Sequence, residues 1–341
     1  MRILYGIQGT GHGHISRARV ILPRLKEIAD VDILISGYNY NLSLDDPITY
    51  KARGISLAYD HKGSVDFLIT AKNIRPITLL QDIQSLPISS YDFVVNDYEP
   101  VSAWAAFTSK VPTVAISHQA SFLSKKTPRP KKISMLSEGI LRHFAPSEAA
   151  VACHYKRYDT FIEPPIVRRQ IQHLSPSVQD HVTVYLPAFN YPELLPYFHA
   201  VPEVSWHVFS AECEHPHWNK NVWIRPVGNE SFLKSIEGCL GIVSATGFET
   251  TSESMYLGKK LFTIPIRNQY EQLCNAAALE TMGAAVAYTI DDSFVESLRY
   301  WVREAHEMSL EEVCDEGILI RKIITKGKGA MQSREYSSKS A

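Results

Sequence analysis

The chain has 341 residues, of which 45% are hydrophobic, 10% aromatic and 21% charged, with 35 Lys and Arg against 36 Asp and Glu. At about 150 residues per domain this length suggests two domains, and the proportions exclude a largely disordered chain. A formal net charge of −1 excludes a basic nucleic-acid binder at the level of the whole chain.

The first predicted element is a buried strand at 2–7, RILYGI, followed by a turn carrying Gly9, Gly11, His12, Gly13 and His14. Apolar residues at Ile15, Ala18, Ile21, Leu22 and Leu25 have helical spacing, and a second strand follows at 31–35. Strand, tight turn, helix and strand make a βαβ unit, which implies a parallel sheet. Residues 37–90 carry Tyr and Asn clusters without a clear period. The pattern resumes with a short buried strand ending at Asp97, a helix over 101–107 and a strand over 111–117. After Glu163-Pro164-Pro165 the alternation repeats, with strands expected at 182–186, 204–209, 222–225, 240–244, 260–264 and 284–288. Two adjacent prolines cannot continue a helix, which places a domain boundary near Ile166. The fold class is therefore α/β, with two doubly wound Rossmann-like domains facing a cleft. The domains span 1–165 and 166–325, and 326–341, rich in Gly, Ser and Lys, reads as a flexible, frayed tail.

No apolar run reaches the roughly 18 residues of a membrane-spanning helix, and the N-terminus turns polar too soon for a signal peptide. Cys153, Cys213, Cys239, Cys274 and Cys314 form no C-x-x-C pair, which reads as reduced thiols of a cytoplasmic protein.

Open parallel sheets bind ligands at the carboxyl ends of their strands, so the chemistry belongs in the loops there. The first glycine turn has Gly9-x-Gly11, but His14 stands where a dinucleotide fingerprint needs its third glycine. The second strand ends at Ser36-Gly37, with no carboxylate for a ribose, so NAD is disfavoured. The turn instead puts His14 at a helix N-terminus, where the dipole disfavours the imidazolium and a neutral ring can act as general base. Asp97, closing a later strand, is its natural partner. The plainer alternatives are that His14 caps or fills the turn and that Asp97 caps the helix starting near Pro100.

The second glycine turn is sharper. A buried strand at 240–244 runs into Thr246-Gly247-Phe248, and a helix runs on to Gly258. Free amides at such a helix start can hold a diphosphate, with Thr250 adding a hydroxyl and Glu253 a carboxylate for ribose hydroxyls. Alternatively, Thr246-x-x-Glu249 fits a capping box that would satisfy those amides internally. Beyond the next strand lies the polar run Arg267–Gln272, suited to reading sugar hydroxyls.

Together these stretches resemble the GT-B superfamily of nucleotide-sugar glycosyltransferases, over most of the chain. Residues 244–277 are similar to the donor motif of plant UDP-glycosyltransferases and the peptidoglycan N-acetylglucosaminyl transferase, with Gly247 and Glu253 at the spacing of the phosphate-helix Gly and the ribose Glu. Gly258, Pro265 and Glu271-Gln272 continue the pattern. Gly13-His14 is similar to the Gly-His of the same families, whose His is the catalytic base backed by an Asp, here Asp97. The sequence departs from the plant motif at Ala245, where that motif has a phosphate-binding His, and at Glu249, where it has Asn.

The resemblance implies a metal-independent inverting hexosyltransferase that moves a sugar from a nucleoside diphosphate-sugar, a UDP-sugar first among them, to an acceptor hydroxyl. His14 and Asp97 are the expected catalytic pair. Thr246, Gly247, Phe248, Thr250, Glu253, Gln269, Glu271 and Gln272 are the expected donor-binding residues, and Gly11, His12, Gly13, Arg17 and His118 line the acceptor side. No cofactor is expected, since the nucleotide-sugar is a substrate. A lipid-linked or polysaccharide acceptor, a place in cell-envelope or glycolipid synthesis and a peripheral contact with the inner membrane face fit this reading. The alternatives are a nucleotide-sugar 2-epimerase on the same fold and a non-catalytic nucleotide-sugar binding protein. The compact Cys213, Glu214, His215 and His217 cluster has no matching second ligand pair and is not read as a metal site. The basic run Lys125, Lys126, Arg129, Lys131 and Lys132 reads as a solvated loop, with a phosphate-bearing acceptor or an anionic membrane surface as its functional alternatives.

Overall fold

The structure is a computed structural model that describes residues 1–10, 12–37, 44–55, 72–73 and 75–339. The first half builds a six-stranded sheet from β1 (Arg2–Gln8), β2 (Asp30–Ser36), β3 (Tyr50–Ala52), β4 (Phe93–Asp97), β5 (Thr113–Ala115) and β6 (Ala149–Ala150). All neighbours are parallel and the order is β3-β2-β1-β4-β5-β6. The strands are short and apolar because helices cover both faces. Ile3, Tyr5, Ile7 and Val95 pack under α1 (His12–Lys26), and Leu4 and Val94 pack under α3 (Pro100–Ser109). The further helices α2 (Pro76–Ser85) and α4 (Met135–His143) have no buried residue.

A two-stranded ribbon of β7 (Ala152–Cys153) and β8 (Ile162–Glu163) leads into the second half. There β9 (His181–Tyr185), β10 (Ser205–Ser210), β12 (Val222–Pro226), β13 (Gly241–Ser244), β14 (Lys260–Thr263) and β15 (Ala285–Val286) repeat the first sheet's order. The short β11 (His217–Asn219) adds antiparallel to β12 at the edge. The helices are α5 (Tyr191–His199), α6 (Asn229–Gly238), α7 (Phe248–Tyr256), α8 (Tyr270–Thr281) and α9 (Phe294–Glu304). The two doubly wound sheets expected from the alternation are present; the short strands β3, β6, β7, β8 and β11 are additions that the pattern did not signal.

The reading of 326–341 as a frayed tail does not hold over 326–339. One helix, α10 (Glu316–Lys339), runs through that stretch and packs back on the first sheet. Leu319, Ile320 and Ile323 join the core beneath β1 and β4, with Met331 packed against it. A Cβ on Gly327 would stand 2.6 Å from the Phe93 ring, so this glycine lets the helix lie close to the sheet. The chain thus returns to its first half after completing the second. Among the described residues no helix is long and apolar enough to cross a membrane.

Order reversal puts a switch point between β1 and β4 in the first sheet and between β9 and β13 in the second. Crevices at the carboxyl ends of strands open at such points. The two glycine turns follow β1 and β13, and Asp97 ends β4, so the sequence's candidate chemistry falls at both switch points.

Candidate active site

Register fixes the first half of the site. Ile7 of β1 lies beside Asp97 of β4, so α1, which follows β1, starts at the same sheet edge as the Asp97 carboxylate. His14, in the first turn of α1, places Nδ1 2.8 Å from Asp97 Oδ1, with both side chains buried. An ionised Asp97 accepts there, so Nδ1 carries a proton, which in the neutral tautomer leaves the lone pair on Nε2. The backbone confirms that Asp97 has no capping duty. The N-cap of α3 is Glu99, whose carboxylate accepts from the amides of Val101 and Ser102, each at 2.6 Å. Tyr98, between them, is held at φ +56°, a left-handed conformation that costs a non-glycine residue energy and is concentrated at functional sites.

Arg17, expected on the acceptor side, bridges two carboxylates. Its Nη1 donates to Asp97 Oδ1 at 2.6 Å and its Nη2 to Glu249 Oε1 at 2.5 Å, with the residue only 5% exposed. It therefore joins the first sheet's carboxyl edge to α7 of the second half. Burial alone would raise the Asp97 carboxyl, but the Arg17 guanidinium and then His14 outweigh it and hold the group below its usual range. Glu249 behaves the same way: burial pushes it up, and Arg17 and His14 bring it down further. Asp97 Oδ2 is buried and has no partner among the described residues. Gly13 makes the approach possible, because a Cβ there would stand 2.3 Å from the Glu249 carboxylate. Gly11 lies outside the described residues, and His12 is described only as the first residue of α1.

In the second half, the capping box does not form. The N-cap of α7 is Gly247, with no side chain bonded to the helix amides and open space around its Cα. Thr246 turns its hydroxyl to the Gln272 carbonyl at 2.8 Å, and Glu249 is drawn to Arg17. The start of α7 thus keeps its donors and its positive dipole end uncapped. Thr250 is partly exposed on the first turn. Glu253, one turn on, is paired through both oxygens with Arg168, at 2.5 and 2.7 Å. Burial raises the Glu253 carboxyl despite this cation. Arg168 carries no local signal that singles it out, since 85 residues separate it from Glu253.

Three expected residues have different surroundings from those anticipated. His118 does not line an open cleft: it is buried, stacked on Phe248 with ring centroids 3.9 Å apart. Its Nδ1 faces the Cys153 carbonyl at 3.0 Å and its Nε2 faces Asn275 Oδ1 at 2.8 Å, so it packs the two halves together. The 3₁₀ turn Gln119–Leu123, directly after it, tucks the ring inward. Phe248 is correspondingly a packing residue under that ring. Gln272 is buried, and its Oε1 accepts from the Ile266 amide at 2.9 Å and from Thr246. Glu271 accepts from Gln119 Nε2 at 2.9 Å, while Gln269 Oε1 has no partner among the described residues.

The residues brought together are therefore His14, Asp97, Arg17, Gly13 and Glu249, beside an uncapped helix start. This arrangement can take a proton at His14 Nε2 and offer an anion-stabilising end nearby. A cavity of about 190 Å³ reaches Asn96 and Tyr98, the neighbours on each side of Asp97.

A family model described as Glycosyl transferase family 1 matches residues 1–303. Among the curated proteins, none matches this chain. Solved structures share its fold. Os79 from O. sativa, described in complex with U2F and trichothecene, superposes with a TM-score of 0.57 at 13% identity, covering 97% of this chain and 96% of its own. A Polygonum tinctorium UDP-glucosyltransferase capable of glucosylating indoxyl gives 0.56 at 12% identity, with 97% and 93% covered. Acinetobacter baumannii MurG gives 0.50 at 12% identity, with 97% of each chain covered.

Proposed function

This chain belongs to Glycosyl transferase family 1 and has the GT-B fold, and from that premise we propose that it is an inverting transferase taking a sugar from a nucleoside diphosphate-sugar to an acceptor hydroxyl. The observation that carries the reading is the His14–Asp97 pair, 2.8 Å apart, across from the uncapped start of α7. A UDP-sugar is the first choice of donor, on the likeness of residues 244–277 to the UDP-glycosyltransferase motif.

In the proposed reaction His14 Nε2 takes the proton of the acceptor hydroxyl as its oxygen attacks the anomeric carbon. Asp97 stabilises the resulting imidazolium. The new C–O bond forms as the bond to the diphosphate breaks, inverting the centre in one displacement. The amides of α7 receive the charge that develops on the departing diphosphate, and Arg17 is bonded to Glu249 of the same first turn, so the step is assigned no metal. Glu253, held in orientation by Arg168, takes the ribose hydroxyls. Gln269, whose oxygen has no partner among the described residues, and Glu271 read the sugar, while Gln272 secures the Thr246 loop. Thr250 adds a hydroxyl donor. Gly13 and Arg17 shape the acceptor side next to the base. We propose a cytoplasmic protein whose acceptor is a lipid or a polysaccharide of the cell envelope.

The test is a thermal-shift panel of UDP, GDP, dTDP, CMP and NAD on the wild type and on Glu253→Gln. A ligand at 100 times its dissociation constant adds about 2.7 kcal/mol of stability. One nucleoside diphosphate is expected to raise the melting temperature of the wild type, with the shift reduced in the variant. A shift with NAD alone, or with nothing, overturns the reading. Product analysis with the matching nucleotide-sugar then separates transfer from an epimerised nucleotide-sugar or from binding without turnover.

A further inference from the structure

The basic run that the sequence offered as a solvated loop is divided by the structure. Arg129 is pinned inward: it donates to Glu138 at 2.5 Å and to the Phe122 carbonyl at 2.8 Å, and lies over the Phe122 ring at 4.8 Å. This ties the loop over 123–134 to α4, which Ser134 caps through the Ser137 amide. The four lysines Lys125, Lys126, Lys131 and Lys132 remain exposed. Lys126 has a carboxylate 3.7 Å away, on Asp159, and the other three have no salt bridge among the described residues.

Beside them, α4 turns apolar side chains outward. Met135 is 81% exposed, Leu136 75% and Ile140 44%, and Ile133, in the loop just before the helix, is 53% exposed. Leu136 and Ile140 are one turn apart on the same face. The helix has no buried residue, and its one acidic side chain, Glu138, is occupied by Arg129 and by the Tyr270 hydroxyl at 2.9 Å. An apolar group rimmed by four lysines, three of them without a salt bridge among the described residues, is unusual on a protein surface that faces only water. None of these four side chains lines the cavity beside Asp97, and their high exposure suits insertion among acyl chains. The lysines suit headgroup phosphates. The cavity that reaches the neighbours of Asp97 is also lined by Leu123, Leu141 and Arg142, which places this face at the approach to the candidate site.

We propose that α4 and the 123–134 loop form a docking surface for an anionic lipid bilayer, with the lysines on the phosphates and Ile133, Met135, Leu136 and Ile140 at the acyl boundary. Docking does not depend on the transfer reaction, so the two are tested separately.

The experiment is co-sedimentation of the full chain with sucrose-loaded vesicles of phosphatidylcholine alone or containing roughly one-third phosphatidylglycerol, at about 0.1 M salt and again at about 0.5 M. Binding is expected to the anionic vesicles, about tenfold or more tighter than to phosphatidylcholine, and to weaken at the higher salt. Lys131→Glu and Lys132→Glu are each expected to weaken it by about fivefold or more. Leu136→Ser is expected to weaken it on the same vesicles without lowering the melting temperature, because the side chain is exposed. The nucleotide-induced thermal shift should persist in all three variants. No sedimentation with anionic vesicles, equal binding to both vesicle types, or unchanged binding by the variants overturns the proposal. So does a surface that captures a soluble protein but not vesicles.

Discussion

The two glycine turns begin from the same local design, a buried parallel strand running into a helix, and end with opposite uses of it. In the turn after β1, side chains do the work: His14 and Arg17 both reach Asp97, and Gly13 is small so that a carboxylate from the other half can rest on it. In the turn after β13, the backbone is kept available. Thr246 and Glu249, the residues able to cap α7, are bonded elsewhere, and Gly247 faces open space. Glycine thus serves close approach in one turn and access in the other. Arg17 couples them, because its two nitrogens reach one carboxylate from each half.

The largest expected stability effect comes from cutting that coupling. Arg17→Met leaves Asp97 buried with one cationic partner fewer and Glu249 unpaired, at a cost of about 3–5 kcal/mol in denaturant unfolding. It also changes the response to acid. Both carboxyls are held below their usual range in the fold, so their contribution to stability is full above the unfolded values, about pH 4, and is lost as pH falls through the lower folded values. Without the guanidinium the folded values rise, and the loss should begin at higher pH than in the wild type. An acid limb that stays in place would break the coupling.

Gly13→Ala should come next. The new Cβ displaces the Glu249 carboxylate, and the repacking should cost about 1–3 kcal/mol. Thr246→Val removes the hydroxyl bonded to Gln272, with an expected loss of about 1 kcal/mol. Gly247→Ala should be the mildest. Its φ of −66° suits any residue and nothing lies within 4 Å of a new Cβ, so a change well under 1 kcal/mol is expected. The contrast between Gly13→Ala and Gly247→Ala, read from melting temperatures side by side, sharpens the comparison. Equal losses would erase it.

Much of this was legible in local patterns. The strands before both glycine turns, the helix after each, and the strand ending in Asp97 follow from runs of apolar residues and their punctuation. His14 and Asp97 could be paired because both sit at strand or turn ends on the same sheet edge. What local sequence does not carry is contact between distant segments. Arg168 meets Glu253 across 85 residues, Arg17 meets Glu249 across 232, and His118 meets Asn275 across 157. The capping box is the instructive failure. Its residue types were right for a local bond, but both side chains found partners outside their own helix. The composition of 326–341, rich in Gly, Ser and Lys, hides the C-terminal helix. Counted by spacing, Leu319, Ile323, Gly327 and Met331 form a stripe every four residues, with a glycine where the sheet comes nearest.

The most direct measurement is the rate of sugar transfer by wild type and His14→Ala, using the nucleotide-sugar selected by the thermal-shift panel and saturating acceptor. Nucleotide binding by the variant is checked in the same shift assay. If His14 is the base, turnover falls by about 10²–10⁴-fold while the nucleotide-induced shift is retained. Full turnover by His14→Ala would contradict the assignment of the first glycine turn as the seat of catalysis.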